Sequence, residues 1–403
     1  MLVKNFLTFY HLNKKHYKPF LHSIIVLFLV THSVRAIEDP NSTSLTKHNS
    51  LIKKDSTNGL SLKALELIKE PLNKSSFEDS LILLQDKQES IRSRRLILEK
   101  LNSNAMRLEK RERQQLLLNN VAVAKDSNES PVLSAQATRA MASISLMMYE
   151  KGEITHDEAI KEKAFLIEVA TDKRRDLQLR SSAIKSIEVL KINEAIPVLE
   201  SLLTDANNYD IPEIARSASV SLTRLSGTQV FPYIHKVMKQ TTNARVFETT
   251  AYCLGQMKTV NAMVALVQNS ERFVDTGACD FALVDMEDVI TDMLKQPSSP
   301  DVLYAIHSTK HLWKEGQKDR YMPLLYDLVS KAPNPVKREA VTRIISVAEE
   351  MPYEKEKEEL SRILSVIQDM PEMEDYSREV QKRLSARILT PQVSSIKSTA
   401  AKE

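Results

Sequence analysis

The chain has 403 residues, of which 42% are hydrophobic and 27% charged, with a formal net charge of +3. It is longer than one ordinary compact domain. Only six glycines, with 5% aromatic residues, disfavour a β-rich fold, because few left-handed turns are then available. The positive charge comes from residues 1–36, which hold Lys4, Lys14, Lys15, Lys18 and Arg35 and no acid; the remaining 51 basic against 53 acidic residues give no support to general nucleic-acid binding.

Residues 1–36 read as a signal peptide or an N-terminal anchor. A basic stretch ends at Lys18, an apolar core follows with Ile24–Val30 at its densest, and Ser33-Val34-Arg35-Ala36 offers a cleavage point after Ala36. The core is shorter than the ~20 apolar residues a membrane span needs. The expected location is outside the cytoplasm: periplasmic, envelope-associated or secreted, and membrane-anchored if the leader stays attached. Residues 37–59 are polar and read as a flexible tether, and 390–403 as a disordered tail.

Residues 60–130 form a charged helical segment that aligns with no repeat. Between Lys87 and Arg113, Ile91, Leu98, Leu101, Ala105 and Leu108 make an apolar stripe at helical spacing. The opposite side carries Arg92, Arg94, Arg95, Lys100, Arg107, Lys110, Arg111 and Arg113. These eight are candidates for contact with an anionic envelope polymer, a lipid surface or nucleic acid, set against a plain solvated face. No aromatic side chains interleave with them, which speaks against single-strand recognition.

From 131 to 389 the pattern becomes repetitive. Ala183, Ile187, Leu190, Ala195, Pro197, Leu199 and Leu202 recur as Ala218, Leu222, Leu225, Val230, Pro232, Ile234 and Val237. A fixed period of this size marks an α-solenoid of helical hairpins, in which each unit buries its apolar face against its neighbours. Thr250, Leu254, Met257, Ala262 and Leu266 continue the series, and Tyr321–Val329 and Val336–Ile344 restate a second and a first helix. Helix starts are expected at Ser75 with Glu78, Thr155 with Glu158 and Asp210 with Glu213 as capping boxes. Three more are expected at Ser130-Pro131, Ser299-Pro300 and Asn334-Pro335.

The hydrophobic–basic–x–x–Ala–x–x–x–Ile signatures at 179–187 and 336–344, with second helices carrying proline near their starts at 195, 230 and 321, resemble the HEAT repeat family. That resemblance implies a scaffold or adaptor that uses its second helices to bind a partner. It is nearly silent on which partner, since a fold alone does not fix function.

Spacing gives the same face. Ile196, Leu199, Leu202 and Leu203 must be core, which leaves Glu200 and its repeat equivalents His235, Lys236 and Lys239, then Tyr326 and Asp327, as candidate partner-binding residues. His307 and His311 share a helical face but lack a third ligand, so no metal is expected. Asp285, Asp288 and Asp292 read as an acidic solvated stripe. Cys253 and Cys279 read as buried thiols on neighbouring first helices rather than as a bridge. No catalytic motif and no cofactor is expected. The sequence therefore points to an exported, non-enzymatic scaffold for a protein partner, with nucleic acid disfavoured. A lesser alternative follows from the resemblance alone: some HEAT-like proteins are bilin lyases.

Overall fold

The computed structural model describes residues 60–209, 211–312 and 318–388. The expected leader, tether and tail, the Asp210 cap and the single Trp313 lie outside the described residues. Every described residue falls within one compact unit.

The described chain is helical with no strand. In order the helices are α1 Leu62–Lys69, α2 Lys74–Gln85, α3 Ile91–Ser103, α4 Lys110–Lys125, α5 Pro131–Glu150, the single turn α6 His156–Ala159, and α7 Lys163–Thr171. Then come α8 Leu177–Val189, α9 Ile196–Thr204, α10 Pro212–Ser226, α11 Phe231–Gln240, α12 Ala244–Met257 and α13 Val260–Gln268. The series closes with α14 Ala278–Val284, α15 Glu287–Leu294, α16 Val302–Ser308, α17 Lys318–Lys331, α18 Asn334–Glu349, α19 Tyr353–Ile367 and α20 Glu374–Ile388. Successive hairpins stack into an α-solenoid. First helices α3, α5, α8, α10, α12 and α14 pack directly on one another, far more closely than the second helices do.

Small side chains make that approach possible. Ser181 and Ser217 touch at 2.6 Å, Ser186 donates to the Thr138 carbonyl at 3.1 Å, and a Cβ added at Gly255 would lie 3.1 Å from the Cβ of Ala282. The repeat positions do what their spacing demands: Ala183, Ile187, Leu199, Ala218, Leu222, Ile234 and Val237 are completely buried. Fully burying each leucine- or isoleucine-sized side chain contributes roughly 1.5–3 kcal/mol.

Four joins from a second helix to the next first helix use one device. Asp86, Asp126, Asp172 and Asp205 end their helices with φ between −69° and −73° and ψ between 103° and 110°. Each carboxylate accepts from the amide two residues on, that of Gln88, Asn128, Arg174 or Asn207, at 2.9–3.0 Å. This Asx turn bends the chain where the helix leaves its last carbonyls unpaired. A buried arginine then takes one of those carbonyls ten residues back: Arg94 Nε donates to Leu84 O at 2.7 Å and Arg180 Nε to Ala170 O at 3.2 Å.

Both devices run through residues 60–130, whose place in the array the sequence leaves open; there α4 packs on α5 as α7 packs on α8, within one compact unit. Two hydrophobic cores meet within α5: Leu133, Ala137, Ile144 and Met148 join the N-terminal core, while Ala135, Met141 and Ala142 join the larger one.

Three local expectations shift. The cap of α2 is Asn73, boxed with Ser76, rather than Ser75 with Glu78. Helix α16 starts at Val302, after Ser299-Pro300. Helix α17 begins a turn before Tyr321, so Pro323 sits inside it and one intrahelical bond is lost. Half of the six positive-φ positions among the described residues are not glycine: Lys191 and Lys258 adopt φ of 52° and 50° at hairpin turns where Gly227 stands in the repeat between them, and Phe273 is the third. Forcing a side chain into that region costs roughly 1–2 kcal/mol, which the packed hairpins on either side offset.

Candidate functional surfaces

The six second-helix candidates do not form one surface. Glu200 on α9 and His235, Lys236 and Lys239 on α11 lie on adjacent helices, whereas Tyr326 and Asp327 on α17 stand beyond α13 and α15. Lys236, Lys239 and Asp327 are exposed, Asp327 pairing with Lys331 at 2.7 Å. His235 is half-buried, its ring 5.3 Å from that of Phe231, and its Nε2 has no hydrogen-bond partner among the described residues. Burial, reinforced by the charge of Lys239, lowers its pKa. Tyr326 is tied inward instead: its hydroxyl donates to Glu359, and the Arg362 guanidinium lies 4.4 Å over its ring. Burial and the Glu359 carboxylate raise its pKa.

The basic N-terminal face changes more. Arg94 is 3% exposed and forms a bidentate pair with Glu129. Arg113 is 6% exposed, paired with Glu153 and bonded to the Leu108 carbonyl. Lys100 donates to the carbonyls of Leu67 and Glu70, satisfying the end of α1; its burial lowers its pKa. These three therefore hold helices together and leave the expected anion-binding set. The physical reason is that helix ends present orphan carbonyls and buried carboxylates that a nearby cation satisfies.

Of the others, Arg92, Arg107, Lys110 and Arg111 are exposed and Arg95 is half-buried. Arg107 and Arg111 line an open recess of ≈ 840 Å³ with Lys74 and Lys100, but Glu70, Glu78, Glu109 and Glu112 line it too. Four acids against four bases give it no net pull on a polyanion.

His307 and His311 turn to different carboxylates, His307 Nδ1 to Glu339 at 3.5 Å and His311 Nδ1 to Asp280 at 2.6 Å. Among the described residues no group of three or more metal-ligating side chains converges. Asp285, Asp288 and Asp292 are exposed, with Lys295 paired to Asp292. Cys253 and Cys279 are free, buried thiols on α12 and α14, and burial pushes the pKa of each up to about 12.

A further basic group lies on the first helices, outside the candidates that spacing singles out. Arg139 on α5, Lys185 on α8 and Arg216 on α10 are all exposed. The bond from Ser186 to Thr138, the bond from Ser221 to the Ile184 carbonyl and the Ser181–Ser217 contact bring these three helices together beside them. The signal is one basic residue per first helix, and it is invisible until the hairpins are in register.

Neither family models nor curated proteins match this chain. Among solved structures, human deoxyhypusine hydroxylase in complex with glycerol is 12% identical, covering 81% of this chain and 97% of that one, with a TM-score of 0.28. A likeness of that grade carries no argument about function. No helix among the described residues is long and apolar enough to cross a membrane.

Proposed function

We propose that this protein is an exported, HEAT-like scaffold that works by binding a protein partner along its stacked helices. One observation carries the reading: the buried positions repeat while the exposed positions beside them do not. Leu199 and Leu202 become Ile234 and Val237, all 7% exposed or less. The neighbouring Glu200, Ser201 and Thr204 become His235, Lys236 and Lys239. A core that repeats under a surface that varies is what an extended, partner-specific face requires, since the stack supplies rigidity and each repeat supplies a different side chain.

Crosslinking the full-length protein in its native host, then identifying by mass spectrometry what co-purifies, tests the proposal. A stoichiometric protein partner is expected. Recovery of only lipid, polymer or nucleic acid would overturn it. Export is tested separately by N-terminal sequencing of the purified protein, where a start at Ile37 is expected from the Ser33–Ala36 pattern.

A further inference from the structure

Among the described residues, several cations tie one repeat to the next. Lys87, Arg94, Arg113, Lys125, Lys163, Lys173 and Arg224 all pair with an acid from another repeat. Against that habit, the side chains of Arg139 and Lys185 form no ion pair or hydrogen bond with any described residue. Arg216 donates only to the neutral hydroxyl of Thr249, at 2.8 Å. Three like charges on three adjacent first helices repel one another, so the fold gains nothing from grouping them. Surrounding protein lowers the pKa of Arg139, and for Lys185 burial acts together with the charges of Arg139 and Arg216, opposed only by Glu188.

Beside this group lies a crevice of mixed lining. One turn beyond Arg216, Val220 lines a space of ≈ 200 Å³ between α10 and α12, with Tyr252, Cys253 and Met257 as its apolar wall and Thr223, Arg224 and Gln256 as its polar one. A space of about 150 Å³ already holds a benzene-sized group. Tyr252 remains 48% exposed at its rim.

We propose that this first-helix face docks a short, extended acidic segment of a partner protein, its carboxylates on Arg139, Lys185 and Arg216 and an apolar side chain in the crevice beside Val220. The geometry sets the spacing. Packed helices lie about 8–10 Å apart, and an extended chain advances about 3.3 Å per residue, so a strand crossing the helices presents an acid to each cation every two or three residues. From Arg216 to Val220 is a single helical turn, about 6 Å, which places the apolar residue close behind the last acid. A continuous phosphate backbone fits less well, because exposed Glu213 and Glu248 flank Arg216 and would repel it, whereas a peptide can leave those positions neutral. The proposal rests on the scaffold reading and adds to its second-helix positions a first-helix face with a stated partner chemistry.

The test is a peptide-display selection against the full-length chain. Enriched sequences should share spaced aspartates or glutamates followed by a leucine, methionine or aromatic residue. The double variant Arg139→Glu with Lys185→Glu should lose the enriched peptide by about tenfold or more per reversed charge. The milder Arg139→Gln with Lys185→Gln guards against misfolding and should weaken binding less. Val220→Trp should weaken binding by blocking the crevice, and Lys355→Glu with Lys357→Glu, exposed on α19, should leave it unchanged. A non-acidic consensus, no enrichment, indifference to the charge reversals, or equal binding of inorganic polyphosphate would each overturn the proposal. If the partner captured by crosslinking still binds the double reversal, only this face is wrong; if no protein partner is captured either, the scaffold reading falls with it.

Discussion

Arg94 and Arg139 sit on successive first helices, and the contrast between them shows how burial and pairing sort charges that look alike in sequence. Arg94 is enclosed, satisfied by the Leu84 carbonyl and both oxygens of Glu129. Arg139 reaches solvent, has no described partner and stands near a second cation, Lys185. The first charge stabilises the stack and is unavailable to a ligand. The second does nothing for the stack and is available. A basic residue is a binding candidate here when the fold leaves it unanswered, not when basic residues are numerous around it.

Substitutions break this contrast in a definite order. Arg94→Ala leaves the Glu129 carboxylate buried without its main partner, and unfolding in urea should show a loss of about 3–5 kcal/mol. The pH dependence follows the same pair. Burial alone would raise the pKa of Glu129, but hydrogen bonds from Arg94 and Lys87 outweigh it and hold the carboxyl below its ordinary 4.5. A lowered carboxyl contributes stability above its unfolded value and loses it as pH falls through the folded one. Wild type should therefore destabilise steeply in acid below about pH 4.5, and Arg94→Ala with Glu129→Gln should flatten that slope.

Next in size, Gly255→Val should cost about 1–3 kcal/mol by pushing α12 away from the Ala282 backbone, despite better helix propensity; the melting temperature reads it. Lys173→Ala removes a pair with Asp205 whose lysine side chain is 68% exposed, and should cost at most about 1 kcal/mol. Arg139→Gln should change stability by about 0.5 kcal/mol or less in either direction while weakening the selected peptide. That combination, binding lost at no cost to folding, would place the two arginines in separate classes by experiment.

Much of this architecture is legible in the sequence. Ala183, Ile187, Leu199 and their equivalents announce the hairpins because burial demands apolar side chains at helical spacing. Residues 60–125 hide theirs, since the repeat there is carried by polar groups: an aspartate ending each second helix, and at Arg94 an arginine ten residues after the carbonyl it satisfies. No apolar spacing reports such a device. The candidate surfaces were less legible for a related reason. A sequence lists Arg94, Lys100 and Arg113 as free charges, and only the neighbouring helix shows that Glu129, the Leu67 carbonyl and Glu153 already hold them. Conversely Arg139, Lys185 and Arg216 are isolated letters until three helices align.

Helix α5 gives one side to each of the two cores, with Leu133, Ile144 and Met148 facing one and Met141 and Ala142 the other. It works as a party wall: neither room can be demolished without exposing the other's plaster. A chain trimmed at residue 130 would turn that inner side outward as an uncovered apolar strip, which invites self-association. Within the described residues, α1 to α4 thus keep that side of α5 covered.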